Sequence, residues 1–385
     1  MEQRRVSGKS HWYHETQSSA RQAQALPLVP EAATVDDPFL LNLTLPDALI
    51  QACNSWLTPA RTLYKFLFPQ RVTVNRLHTF SAYDRLSTAL TVAQVYGVQR
   101  LCNHYAARLA PLPGPDSSRE SNRRLAQITQ YARQLALSPG VIDARARQQL
   151  DDVGLTEYDI ILMGQVIGFI GFQARAIATF QALQGQPVRW IPGMEMQQEA
   201  EHALFDATQA QWTPGIAPVD LRTASARQME SLANWQPLPA FQLLAPVLAH
   251  EYPSLDALGE IYSGALTALV DDNITQLVTL YTARINGSVN CFSEAWQRWH
   301  GDDDLAEAVR NGDRVLKCLG QTREKEGAIV QAVQMLTCAP DRFSPAHFAQ
   351  LKENGINEAS AIGLLIWCAL CGWLDRLKIA FGDIA

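Results

Sequence analysis

One run of residues has the types and spacing of a thiol site: Arg284-Ile-Asn-Gly-Ser-Val-Asn-Cys291-Phe-Ser-Glu294. Gly287 closes one helical pattern, and Ser288 is a natural N-cap for the next, so Cys291 falls at the third helical position. Free amides and the helix dipole at that end stabilise a thiolate and lower the thiol pKa. The Ser288 hydroxyl lies one turn earlier and can hydrogen-bond the sulfur. Glu294 lies one turn later and can face it as a proton relay. The expectation is a reactive cysteine. The competing reading is a side chain that only fills space.

Other candidates are weaker. Cys102, His104 and Tyr105 form a compact polar group that reads as pocket lining or as buried structure. Arg175 and Arg376 each end a long apolar run. An arginine there either caps carbonyls or makes a salt bridge, or else contacts an anion at an oligomer interface. Cys368-Ala-Leu-Cys371 has redox spacing but sits midway along an apolar helix, where nothing activates a thiol, so packing is the expectation. Cys53, Cys318 and Cys338 have no informative spacing. His11, His14 and Glu15 would leave a metal shell open, and a solvated tail is expected instead. No metal and no cofactor are expected.

These residues are positioned by an internally repeated chain. Residues 128–181 align with 329–382 at a constant offset of 201, with twelve identities including Pro139/Pro340, Gly154/Gly355, Gly171/Gly372, Arg175/Arg376 and Phe180/Phe381. Upstream, helices over Tyr83–Val95 and Ile274–Ile285 end at Gly97 and Gly287, a local offset of 190. Each glycine is followed by another helix, over Arg100–Leu109 or Ser288–Trp299. Further on, Ser138-Pro139 has the signature of a helix start. That helix ends near Gly154, and Thr156 then caps the long apolar helix. Asn357 caps its counterpart. No period-two alternation lasts long enough for a convincing strand. The expected architecture is all-α: a polar, loosely packed arm over 1–45, a first repeat over 46–184, a Trp/Pro-rich connector over 185–245 and a second repeat over 246–385. Within the connector, helices are expected around Glu195–Thr208 and Ala224–Ala233.

Composition narrows the function classes. The 385 residues carry a net charge of −6 without a basic stripe, so no nucleic-acid partner is expected. Seven cysteines form no regular framework, and no apolar leader segment stands at the N-terminus; the reading is a reducing, cytoplasmic compartment. Ile160–Ala174 and Ala359–Leu374 are uncharged but shorter than the roughly 20 residues of a membrane span. They are expected to be core helices, with no membrane partner.

The run Gln276–Cys291 with its Arg-Ile-Asn-Gly turn resembles the signature of the AhpD-like, or carboxymuconolactone decarboxylase, family. The Gly-Leu-Thr-Glu helix that ends at Arg175, with its twin ending at Arg376, is similar to that family's peroxidase-related branch. The resemblance covers both repeats. It implies an AhpD-like helical domain duplicated in tandem, assembly into a homo-oligomer (a dimer or larger), and in active members hydroperoxide reduction by a thiol pair. Of the family's Glu-x11-Cys-x2-Cys-x3-His pattern, only the second cysteine is kept, as Cys291. Gln276, Ser288 and Ala295 stand at the other three positions, and the first repeat has Leu86, Val98, Leu101 and Tyr105. The implied activity is antioxidant peroxidase chemistry on a small hydroperoxide through one cysteine, with an external thiol as reductant. A decarboxylase-like enzyme and a catalytically degenerate oligomeric scaffold are the alternatives. At least a dimer is expected, because lone repeats would expose apolar helix faces.

Overall fold

A computed structural model describes residues 30–188, 193–206, 211–269, 271–312, 316 and 322–384. The chain is all-α in class. Its helices are α1 (Asp47–Ala52), α2 (Asn54–Leu67), α3 (Ala82–Tyr96), α4 (Gln99–Leu109), α5 (Arg119–Leu137), α6 (Ala144–Asp151) and α7 (Glu157–Leu183). Then follow α8 (Ala226–Trp235), α9 (Ala245–Leu248), α10 (Tyr252–Leu266), α11 (Asp272–Asn286), α12 (Val289–Gln297), α13 (Asp303–Asn311), α14 (Glu324–Cys338), α15 (Pro345–Glu353) and α16 (Glu358–Phe381). The element order of α2–α7 recurs in α10–α16, with α13 as an extra helix. That extra helix falls between the regions of offset 190 and offset 201.

Local chemistry explains the boundaries. Gly97 and Gly287 take positive φ, 67° and 77°, and end α3 and α11. Gly154 and Gly355 do the same before the long helices, at 82° and 83°. Thr156 caps α7 in a reciprocal box with Asp159, and Asn357 accepts from the Ser360 amide at the start of α16. The expected helix start at Ser138 is corrected. Pro139–Val141 form a short 3-10 turn, and the helix proper begins after Asp143, whose side chain accepts from the Ala146 amide.

The two long helices pack against each other at the centre, and α2 packs against α10 beside them. Nearly every residue of α7 and α16 past the first turn is buried. Helix α7 has the length and apolarity of a membrane span, but it lies wholly inside the protein. It is shielded by the partner helices that cover it.

Three further expectations are corrected. The end of the supposed arm is core: Phe39, Leu40, Leu41, Leu43 and Leu45 are buried, because these apolar side chains pack over the first set of helices. Phe39 makes edge contacts with Trp56 and Phe169. The described part of Glu195–Thr208 is no α-helix; residues from Met194 run extended across the second set, and only His202–Phe205 form a 3-10 turn. A short antiparallel ladder, β1 (Trp212–Pro214) with β2 (Gly382–Ile384), ties the connector to the end of α16. The His11, His14 and Glu15 reading and Cys318 lie outside the described residues.

Candidate functional site

Cys291 takes the third position of α12, as its spacing requires. It is half-buried. Ser288 occupies the N-cap position, but its hydroxyl caps no amide and is buried without a hydrogen-bond partner of ordinary geometry.

The surroundings of the sulfur come from α16. The Asp375 carboxyl group and the Cys291 thiol each influence the other's proton affinity. Asn286, the last residue of α11, donates to the same carboxyl at 2.8 Å. One turn further along α16, Lys378 is only 2% exposed. Its Nζ donates to Asn290 Oδ1 at 2.8 Å and meets Glu294 Oε1 at 3.3 Å. It also stands over the Trp212 ring, 5.2 Å from the centroid, while Trp212 Nε1 donates to the Lys378 carbonyl. Cys291, Asp375, Lys378 and Glu294 therefore form one acid–thiol–lysine cluster where α11, α12 and α16 converge.

The electrostatics reverse one expectation. Burial pushes the Cys291 thiol well above its ordinary value, and the Asp375 charge adds to this. Lys378 opposes the rise, Glu294 adds to it, and nearby Ser288 contributes the smallest, opposing influence. The helix start alone does not create a resident thiolate, because desolvation and a neighbouring carboxylate outweigh it. Asp375 is itself displaced. Burial raises it to about 7, against the hydrogen bond from Asn286, the influence of the Cys291 thiol and the charge of Arg376. The cluster thus sets a protonated thiol in the field of a carboxyl group that exchanges its proton near neutrality.

The other sequence candidates are elsewhere. Gln276 lies near the start of α11, where it donates to Asp272 at 2.6 Å and accepts from the His300 amide; it does not join the thiol cluster. His104 is held between the Tyr64 hydroxyl at 2.6 Å and the Ala32 carbonyl at 2.7 Å. Burial lowers its pKa to about 4, so its ring is neutral. Tyr105 donates to Gln173 at 2.7 Å, and Cys102 donates to the Ala93 carbonyl while burial drives its pKa to about 12. These three are tied into the interior of the first set of helices.

Arg175 and Arg376 cap carbonyls both in their own helices and across the centre. Arg175 donates to Gly171 and, at 2.6 Å, to the Thr337 carbonyl of α14. Arg376 donates to Gly372, Gln197, and the Leu135 and Ala136 carbonyls of α5. Both guanidinium groups face the Tyr96 ring, at 4.5 and 5.8 Å. Burial alone would raise the Tyr96 hydroxyl, yet the two cations together hold it below its ordinary value.

Asp375, Lys378 and Asn286 escaped the sequence reading, although one signal marks them. At the internal offsets they stand opposite Ala174, Ile177 and Tyr96, so charge appears at Asp375 and Lys378 where the other copy is apolar, and an amide at Asn286 where it has an aromatic ring. Among the described residues no group of three or more His, Cys, Asp or Glu side chains is arranged to hold a metal. A cleft of about 220 Å³ lies at the opposite end of α16, against Ile274, Thr275, Asn357, Ser360 and Leu364, and does not include Cys291. Compared with known proteins, the chain matches no family model and none of the curated proteins.

Proposed function

We propose that the second set of helices holds a single-nucleophile thiol site that reduces small hydroperoxides, in a cytoplasmic, homo-oligomeric protein of the AhpD-like kind. The observation that carries this reading is the buried cluster at the start of α12, where Lys378 bonds Asn290 and Glu294 on either side of Cys291 and Asp375 is held by Asn286. A thiol with a raised pKa needs a base, and a carboxyl group near 7 is matched to that task at neutral pH.

In the reaction, ionised Asp375 takes the Cys291 proton. The thiolate attacks the terminal oxygen of the hydroperoxide, and the O–O bond breaks. The departing alkoxide takes a proton from Asp375 and leaves as an alcohol, with a sulfenic acid on Cys291. Two equivalents of an external thiol then restore the thiol, releasing water and the reductant's disulfide. Lys378 stabilises the thiolate during this transfer. Ser288 and the first-turn amides add to that stabilisation, and the carboxylate of Glu294 holds the ammonium of Lys378.

The test is hydroperoxide-dependent labelling with dimedone, mapped by mass spectrometry, in the intact protein, Cys291→Ser and Asp375→Asn. Labelling at Cys291 should rise with pH through about 7, and Asp375→Asn should remove that step and slow labelling at pH 8 at least tenfold, the low end of general-base effects. Labelling that does not depend on Cys291 would end this reading. One observation favours a second reading, a scaffold without chemistry: the resting thiol is held protonated. That reading requires Cys291 to stay unlabelled at every pH.

A further inference from the structure

We propose that the cleft at the start of α16 binds a small aliphatic carboxylate, whose charged group takes the place that the Asp159 side chain fills in the first set of helices. The inference is independent of the hydroperoxide reading above.

In the first set this place is closed by polar side chains. Asp159, in the first turn of α7, is 1% exposed. It accepts from the amides of Thr79 at 2.8 Å, Phe80 at 3.0 Å and Thr156 at 3.0 Å, and from the Thr79 hydroxyl at 2.6 Å. Arg124, near the start of α5, donates to that hydroxyl at 3.1 Å and to Asp84 at 3.4 Å. One cation and the start of one long helix thus hold two carboxylates.

At the internal offsets Ser360, Lys325, Ile274 and Leu269 replace Asp159, Arg124, Asp84 and Thr79. The helix start and a cation are kept, while both carboxylates are lost. All four replacements line the cleft of about 220 Å³. Ser360 carries no carboxylate to return a bond to the Asn357 amide, so the reciprocal cap formed by Thr156 and Asp159 has no counterpart here; Asn357 only accepts, from the Ser360 amide at 2.9 Å. Lys325 meets Asp271 at 3.6 Å in a half-exposed pair. An ammonium has three donors, so it can serve a second anion, as Arg124 serves two acceptors in the first set. The rest of the wall is apolar, from Leu269, Ile274, Ile356 and Leu364.

These features select the ligand. The amide of Asn357, the Ser360 hydroxyl and Lys325 supply donors for one carboxylate at a helix start. Asp271 shares the same lysine and disfavours a dianion such as phosphate. The apolar wall takes a hydrocarbon tail, and a cleft smaller than the roughly 300 Å³ of drug-sized sites keeps that tail short.

The experiment titrates the full chain with hexanoate and, as the uncharged control, hexanol, by isothermal calorimetry. Hexanoate should bind saturably, and hexanol at least about tenfold more weakly, the loss of a charged hydrogen bond. Lys325→Met should weaken hexanoate by about the same factor and leave hexanol unchanged. Ser360→Asp supplies the carboxylate from the chain itself, so it should abolish hexanoate binding with its circular dichroism unchanged. No saturable binding by the native chain overturns the inference. Equal affinity for hexanoate and hexanol overturns it too, since the cleft would then be only an apolar recess. Native affinity for hexanoate in Ser360→Asp or in Lys325→Met would place the carboxylate elsewhere and overturn it as well.

Discussion

Trp373 occupies the space that a side chain at Gly168 would fill: a Cβ there would stand 1.8 Å from its Cδ1 atom. This contact sets how closely α7 and α16 approach. Gly168→Ala should therefore destabilise the chain by about 1–3 kcal/mol, the usual cost of overpacking a core. Urea denaturation followed by circular dichroism measures it. Gly168→Ala/Trp373→Phe should recover part of the loss, because the smaller ring yields space to the methyl group. A double variant no better than the single one would mean that other contacts set the spacing.

Arg175 and Arg376 make a second exchange across the same centre. Arg175 reaches Thr337 and Arg376 reaches Ala136, carbonyls that correspond at the offset of 201 residues. Each arginine is 1% exposed. Arg376→Met should cost about 3 kcal/mol, since it leaves the Leu135 carbonyl buried without its donor and the Ala136 carbonyl with only the Tyr96 hydroxyl at 3.4 Å. Arg376→Lys should cost less. The losses of Arg175→Met and Arg376→Met should not add, because both side chains pack on Tyr96. Strict additivity in a double-variant denaturation series would contradict that coupling.

Much of this architecture is legible in the sequence, for physical reasons that can be named. Gly97, Gly154, Gly287 and Gly355 announce helix ends because left-handed backbone excludes most other residues, and each takes that conformation. Thr156 and Asn357 announce the long helices by capping them. The site is only half legible. Cys291 is visible because a helix start is a local feature, and its helical position follows from Gly287 and Ser288. Asp375 and Lys378 are invisible to local reading because they sit at the far end of another helix, where they resemble the charged close of an apolar segment. The direction of the Cys291 pKa depends on those two residues and on burial, which only the tertiary packing reveals. The connector is misread for a related reason. Its segment from Met194 follows the second set of helices through backbone bonds such as Gln197 N–H to the Cys338 carbonyl, which no local pattern encodes.

Lys378 should control the reactivity of the thiol. Its ammonium is the main influence holding the Cys291 pKa down against burial. Lys378→Met keeps the aliphatic stem but removes the charge, so the thiol pKa should rise further. Alkylation of Cys291 by iodoacetamide at pH 8.5 should slow about three- to tenfold, with each tenfold step equal to one pKa unit. The comparison is made by mass spectrometry of the Cys291 peptide over time. An unchanged rate would mean that the lysine charge is screened from the sulfur.

Asp375 should make the stability of the chain depend on pH, with a sign opposite to that of most carboxylates. Its pKa is about 7 in the folded chain, against an ordinary value of 3.8. Between these values the folded state holds a proton that the unfolded state has lost, so stability falls as pH rises from about 4 to about 7 and levels off above. At about 1.4 kcal/mol per unit, the loss for a group this buried is on the order of 4 kcal/mol. Asp375→Asn keeps an acceptor for the Asn286 amide and has no charge to desolvate. It should lie close to the native chain at pH 4.5 and be more stable at pH 8, by an amount approaching that figure. Urea midpoints at half-unit steps from pH 4.5 to 8.5 test this. Parallel curves for the two proteins would mean that Asp375 keeps an ordinary pKa, and the neutral-pH proton exchange assigned to it would have to come from another group.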